Sequence, residues 1–271
     1  MAPRLETLIV IARQQQGCWG LDLRAARGHP RLANLVFSAP DDGDDVPGSV
    51  PPGSRRRVGG GGGDDEGSFP AAATCAFAGA ELLPALRSVA LRGDAFFGGG
   101  YVSGVEAACT LYQVAAALPP SVTDLELDLP RRQLPAAHAL PLLGAALGGK
   151  LERLALGRCE LPGDGAEAAR AWRGLGLFER LQSLDMEAAS WRPAMLDSFE
   201  GLAAALARGD HGGREEAASA GHAAEGAAAL RLRAVTVGLP CGAAGAEAAA
   251  RLRGLEAQCG GALRFRPCCG R

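Results

Sequence analysis

Lysine, asparagine and isoleucine are almost missing from this 271-residue chain. Lys150 is the single lysine, Asn34 the single asparagine, and Ile9 and Ile11 the only isoleucines. Arginine, alanine and glycine stand in their places. A GC-rich genome imposes that skew, so the abundance of small residues argues neither for function nor for flexibility. An excess of charge is missing too. The net charge of -2 gives no electrostatic reason to expect a nucleic acid or an anionic membrane as partner. Long apolar runs are absent: Leu8 to Ala12 is far shorter than a secretory core, and nothing approaches the roughly 20 apolar residues of a membrane span. The eight cysteines are scattered, with no C-x-x-C pair and no histidine at zinc-finger spacing from one, Cys268 and Cys269 being merely adjacent. Reduced thiols in an intracellular compartment, cytoplasmic or nuclear, are the expectation.

The motifs of common chemistries are also lacking. Gly144 to Lys150 reads GAALGGK and matches the start of a phosphate-binding loop. Leu151 stands where that loop needs a magnesium-binding Ser or Thr, and the order is helix, loop, strand instead of the reverse. A phosphate needs the amides at the start of a helix, and here a helix is ending. The glycines at 59–63 lack a strand before them and a helix after them. His29, His138, His211 and His222 belong to no nucleophile or metal motif, and neither G-x-S-x-G nor H-E-x-x-H occurs. Arg55 to Arg57 lie beside acids and read as a solvated cluster. No enzymatic activity, no cofactor and no metal are expected.

What is present is a repeat. Leu151 to Leu161, LERLALGRCEL, places leucines at 151, 154, 156 and 161 with Cys159 among them. The L-x-x-L-x-L core recurs with conservative changes at Leu5, Leu8 and Val10; Leu32, Leu35 and Phe37; Leu86, Val89 and Leu91; and Val122, Leu125 and Leu127. After the Leu151 copy come Leu181, Leu184 and Met186, then Leu232, Val235 and Val237, with Leu263 and Phe265 as a last partial copy. Neighbouring copies lie about 27 to 36 residues apart where nothing intervenes, the range of long, helix-containing repeats.

Between copies the sequence has helical periodicity. Gly104 to Leu118 puts Val105, Ala108, Leu111, Tyr112, Ala115 and Leu118 on one face. Ala136 to Leu147 buries Leu140, Leu143 and Leu147, with Gly148-Gly149 closing it. Asp164 is positioned to cap a helix burying Ala168, Ala171, Trp172 and Leu175. Pro193 suits the first turn of one running to Ala207, and Ala244 to Cys259 is the last. Trp172 and Trp191 are expected in the core. Two stretches resist structure: 41–70, with its acidic cluster, prolines and glycine run, and 209–226, polar and without apolar period. Both read as disordered, low-complexity insertions in a single domain spanning 1–271.

Strand, turn and helix in this pattern resemble the leucine-rich repeat, most closely its ribonuclease-inhibitor-like subclass. The resemblance implies an α/β solenoid with short parallel strands on a concave face and helices on the convex face. The family's ninth position carries Asn or Cys, whose buried side chain bonds turn backbone. Cys159 fits and Asp94 is suited to it, whereas Pro130, Ala189 and Pro240 imply irregular turns. The resemblance also implies a protein partner on the concave face, where the residues flanking the strand leucines point. The charged ones are Arg92; Asp124, Glu126 and Asp128; Arg153 and Arg158; and Asp185 and Glu187. Three neighbouring copies thus alternate acidic, basic, acidic, either selecting a charged partner or pairing with one another across strands.

The function expected is that of an interaction scaffold, with a substrate-recognition or adaptor module as one use the family offers. Two alternatives stand beside it. One is a fragment of a longer repeat protein, suggested by Ile9 and Ile11 on the first strand's concave face. The other is an α/β enzyme with a doubly wound sheet, whose strands should instead read as continuous Val/Ile runs.

Overall fold

The computed structural model describes residues 5–11, 29, 31–38, 83–93, 104–128, 134–163, 165–211, 232–240 and 246–268. Residues 41–70, expected as an insertion, lie outside them with Asp94, Pro130 and Asp164, as does most of 209–226. Among these residues nine strands form one all-parallel sheet: β1 (Thr7–Ile11), β2 (Asn34–Ser38), β3 (Ser88–Arg92), β4 (Asp124–Asp128), β5 (Leu134–Pro135), β6 (Arg153–Glu160), β7 (Ser183–Ala188), β8 (Ala234–Pro240) and β9 (Leu263–Cys268). The order in space is the order in sequence, β1-β2-β3-β4-β6-β7-β8-β9, with β5 resuming beside the end of β6 where β4 has stopped. A doubly wound sheet reverses its strand order at a switch point; among the described strands there is no reversal.

The repeat sets the register. Leu8, Leu35, Val89, Leu125, Leu154, Leu184, Val235 and Leu263 lie side by side across eight strands. Two residues on, Val10, Phe37, Leu91, Leu127, Leu156, Met186, Val237 and Phe265 form a second row. A strand alternates its side chains between faces, so the two rows fall on the same face. From β2 to β8 every member of both rows is buried. Backbone bonding repeats with them. The carbonyl before each strand accepts two successive amides of the next copy: Glu6 from Ala33 and Asn34, Ala33 from Arg87 and Ser88, Arg87 from Thr123 and Asp124. Thr123, Glu152 and Gln182 continue the series in the same way.

Five helices are described: α1 (Gly104–Ala117), α2 (Ala136–Leu147), α3 (Gly165–Leu175), α4 (Met195–His211) and α5 (Ala246–Gln258). Each packs beside the next in chain order. Their buried residues are those the 3.6-residue period selects: Leu140, Leu143 and Leu147 in α2, Ala168, Ala171, Trp172 and Leu175 in α3, Leu196, Phe199, Leu202 and Leu206 in α4. In α1 Leu111 and Ala115, and just past it Leu118, are buried as expected, but Tyr112 is exposed and Val114 takes the inward place. A tyrosine there keeps its hydroxyl in water, while valine has no polar group to satisfy. The helix predicted to stop at Ala207 continues to His211, taking in 209–211 from the expected insertion. Trp191 is half-buried and stacks on Phe199 with ring centroids 6.5 Å apart.

Gly148 closes α2 by close packing and not by a left-handed turn. Its φ of -54° is helical. A Cβ there would overlap the carbonyl oxygens of Leu177 and Gly144. Gly174 is held to hydrogen for a similar reason, since a Cβ would lie 2.7 Å from the nitrogen of Pro141. These glycines let α3 and the loop after it sit directly on α2.

Candidate interaction face

Alternate strand residues point away from the helices. One row reads Thr7, Asn34, Ser88, Asp124, Arg153, Ser183 and Ala234 across the sheet. The next reads Ile9, Val36, Ala90, Glu126, Ala155, Asp185, Thr236 and Arg264. Over β1 to β3 the middle row is therefore apolar (Ile9, Val36, Ala90), beside uncharged polar residues at the strand starts, and charge runs from Arg92 on β3 to β9. Seven strand intervals at ~4.8 Å make the face about 34 Å wide.

All eight charged residues singled out from the sequence come together on this face, mostly as cross-strand pairs. Arg92 on β3 donates from Nε to Glu126 Oε1 on β4 at 2.9 Å. Arg153 on β6 pairs through Nε with Asp124 on β4. In both cases the hydrogen bond to the carboxylate is the main cause raising the guanidinium pKa. Asp185 on β7 accepts from Arg266 on β9 at 2.9 and 2.8 Å, a pairing that reaches over β8. The strand between carries Thr236 beside Asp185 and Gly238, which has no side chain, beside Arg266. Such pairs are half-exposed, so solvent screens them and each adds little stability.

Arg158 sits differently from the other seven. Leu156 pairs with Met186 and Cys159 with Ala188, so three steps on β6 match two on β7. Gly157 and Arg158 together face Glu187, a β-bulge that gives Arg158 a φ of 47°. Asp128 leans against Gly157, where a Cβ would stand 2.7 Å from its Oδ1. Beyond the bulge Cys159 turns inward, fully buried, and desolvation pushes its thiol up to about 12. This cysteine occupies the ninth position of its copy.

Arg264 and Arg266 also belong to this face, though sequence reasoning did not name them. Applying the flanking rule to the last copy, Leu263 and Phe265, would have found both. Lys150 ends the loop-like motif GAALGGK. Its Nζ donates to the carbonyls of Leu118 at 3.0 Å and Pro119 at 3.5 Å, just past α1.

Among known proteins, no family model matches this chain and no curated protein aligns with it. The site must be read from its own residues. Among the described residues no group of three His, Cys, Asp or Glu is placed to hold a metal ion. Among them also, no helix is long and apolar enough to cross a membrane.

Proposed function

We propose that the chain is a leucine-rich-repeat solenoid of the ribonuclease-inhibitor-like kind, and that it binds a partner protein across the helix-free face of its sheet. One observation carries this reading. An all-parallel sheet ordinarily has both faces covered, whereas here the described helices share one buried core with the inward rows of the sheet, and the alternate strand residues from β4 on are mostly part-exposed and of mixed charge. In solenoids such a face is the concave binding surface. Five-residue strands over about 34 Å give a strip on the order of 550 Å², less than the ~800 Å² per partner of a standard interface. The turns at the strand ends would therefore join the contact. The role is that of an adaptor or substrate-recognition module without catalytic activity, in the cytoplasm or nucleus, where Cys159 and Cys259 stay as thiols.

The test is affinity capture from native extract with the intact chain and with a Glu126→Arg, Glu187→Arg variant. Melting curves should coincide, because both side chains are partly exposed on the face. A partner held by the intact chain and weakened at least tenfold by the variant supports the reading. Partners retained equally by both would move the binding site off this face.

A further inference from the structure

The two ends of the sheet are chemically unlike. At β9, the Val235 amide bonds the Ala262 carbonyl, so in a parallel ladder Arg264 and Arg266 also turn their backbone groups to β8. Leu263, Phe265 and Pro267 turn theirs outward. That outer edge is largely closed. The Phe265 amide donates to Glu256 Oε1 of α5 at 2.6 Å, and Pro267 has no N–H to offer. Arg264 and Arg266 add charge beside it, a common protection of strand edges.

At β1 none of these devices occurs among the described residues. Asn34 donates to the Glu6 carbonyl at 3.0 Å, so Glu6, Leu8 and Val10 turn their backbone groups to β2, and Thr7, Ile9 and Ile11 turn theirs outward. No described strand pairs with that edge. The strand TLIVI holds no charge and no proline, and four of its five residues are β-branched. The Ile9 side chain is 60% exposed, the most open large apolar side chain among the described residues.

We propose that β1 pairs antiparallel with β1 of a second copy of this chain, joining two sheets across a two-fold axis through Ile9. The register follows from which groups point outward. Thr7 lies opposite the partner's Ile11, Leu8 opposite the partner's Val10, and Ile9 opposite the partner's Ile9. Thr7, Ile9 and Ile11 then form the hydrogen-bonded pairs, each exchanging two backbone bonds. No like charges face each other. On the helix-free face, Ala90, Val36 and Ile9 continue into the same three residues of the partner as one apolar band. A head-to-tail assembly is disfavoured because β9 offers no matching edge, so association closes as an isologous dimer instead of growing into a fibre. One short strand buries well under the roughly 800 Å² per partner of a standard interface, which makes the dimer reversible, in the micromolar range. The pairing is independent of what the helix-free face binds.

Sedimentation velocity of the full chain over a concentration series tests it. The expected result is a concentration-dependent shift from the 27.7 kDa single chain to twice that mass. Ile9→Lys sets two ammonium groups on the axis, and Ile9→Pro deletes an outward amide that β2 does not use. Each should weaken the dimer at least tenfold without moving the melting temperature appreciably. Ile9→Cys should form a cross-chain disulfide on mild oxidation beyond the intact chain's background, since opposed residues of a hydrogen-bonded pair have Cα atoms about 5.5 Å apart. A chain that stays monomeric to about 100 μM, ten times a dissociation constant of about 10 μM, overturns the proposal. So does a dimer that both Ile9→Lys and Ile9→Pro leave intact.

Discussion

The ammonium of Lys150 donates to the Leu118 carbonyl at 3.0 Å, tying the loop after α2 to the end of α1 one repeat earlier. A cation there also complements the negative end of the helix. The lysine is part-buried, and desolvation lowers its pKa from 10.5. Lys150→Met should destabilise the fold by about 1–2 kcal/mol at neutral pH through the lost bonds. Because the folded state disfavours the charged form, it binds fewer protons than the unfolded chain as pH rises toward 10.5. Stability gained in that window is absent from the variant, so the gap between the two should widen from pH 7 to pH 10 in denaturant titrations. A gap that narrows would contradict this account.

Cys159 carries the opposite sign. Its thiol is raised from 9.0 to about 12 by burial, so above pH 9 the unfolded chain loses a proton that the folded chain keeps. The stabilisation is complete below pH 9 and is lost as pH climbs from there toward about 12. Cys159→Ala should remove that part of the alkaline loss. Native alkylation at pH 8 should spare Cys159 until the chain unfolds, as peptide mapping after labelling will read.

Adjacent glycines should respond differently. Gly148→Ala forces a Cβ onto the Leu177 carbonyl, whereas a Cβ at Gly149 meets nothing within 4 Å. The first substitution should cost upwards of about 2 kcal/mol, and the second should lie within roughly 1 kcal/mol of neutral. Thermal denaturation of the pair gives the comparison, and equal effects would show that packing is not the reason for Gly148.

Arg158 adopts a left-handed φ of 47° that glycine tolerates better. Arg158→Gly should raise stability by about 1 kcal/mol or less, because the side chain's own interaction is given up for the relieved backbone. A marked loss in the melting temperature would mean that this interaction outweighs the strain.

Much of this was open to reading in one dimension because period-2 and period-3.6 patterns report burial directly. The L-x-x-L-x-L copies, found in sequence, stand side by side in register, and the helix faces of α2, α3 and α4 bury the residues that spacing selects. Tyr112 and Val114 show the limit of that reading: both lie near the boundary of the α1 stripe, and a hydroxyl decides between them. Arg158 shows another. Strict alternation from Leu154 and Leu156 would send it inward; the bulge, an extra residue between strands, turns it out and Cys159 in, and its presence depends on how β6 meets β7.

The sequence by itself determined the strands, their shared inward rows and the charged residues that flank them, because hydrophobic burial acts position by position along each element. Tertiary structure alone decided which charges meet. Arg266 reaches Asp185 across a whole strand, 81 residues away in the chain. Only the stacked sheet also distinguishes its two ends, closing β9 with a glutamate from α5 while no described strand pairs with the outer edge of β1. Pairing of that kind depends on distances between separate repeats, and no local period encodes them.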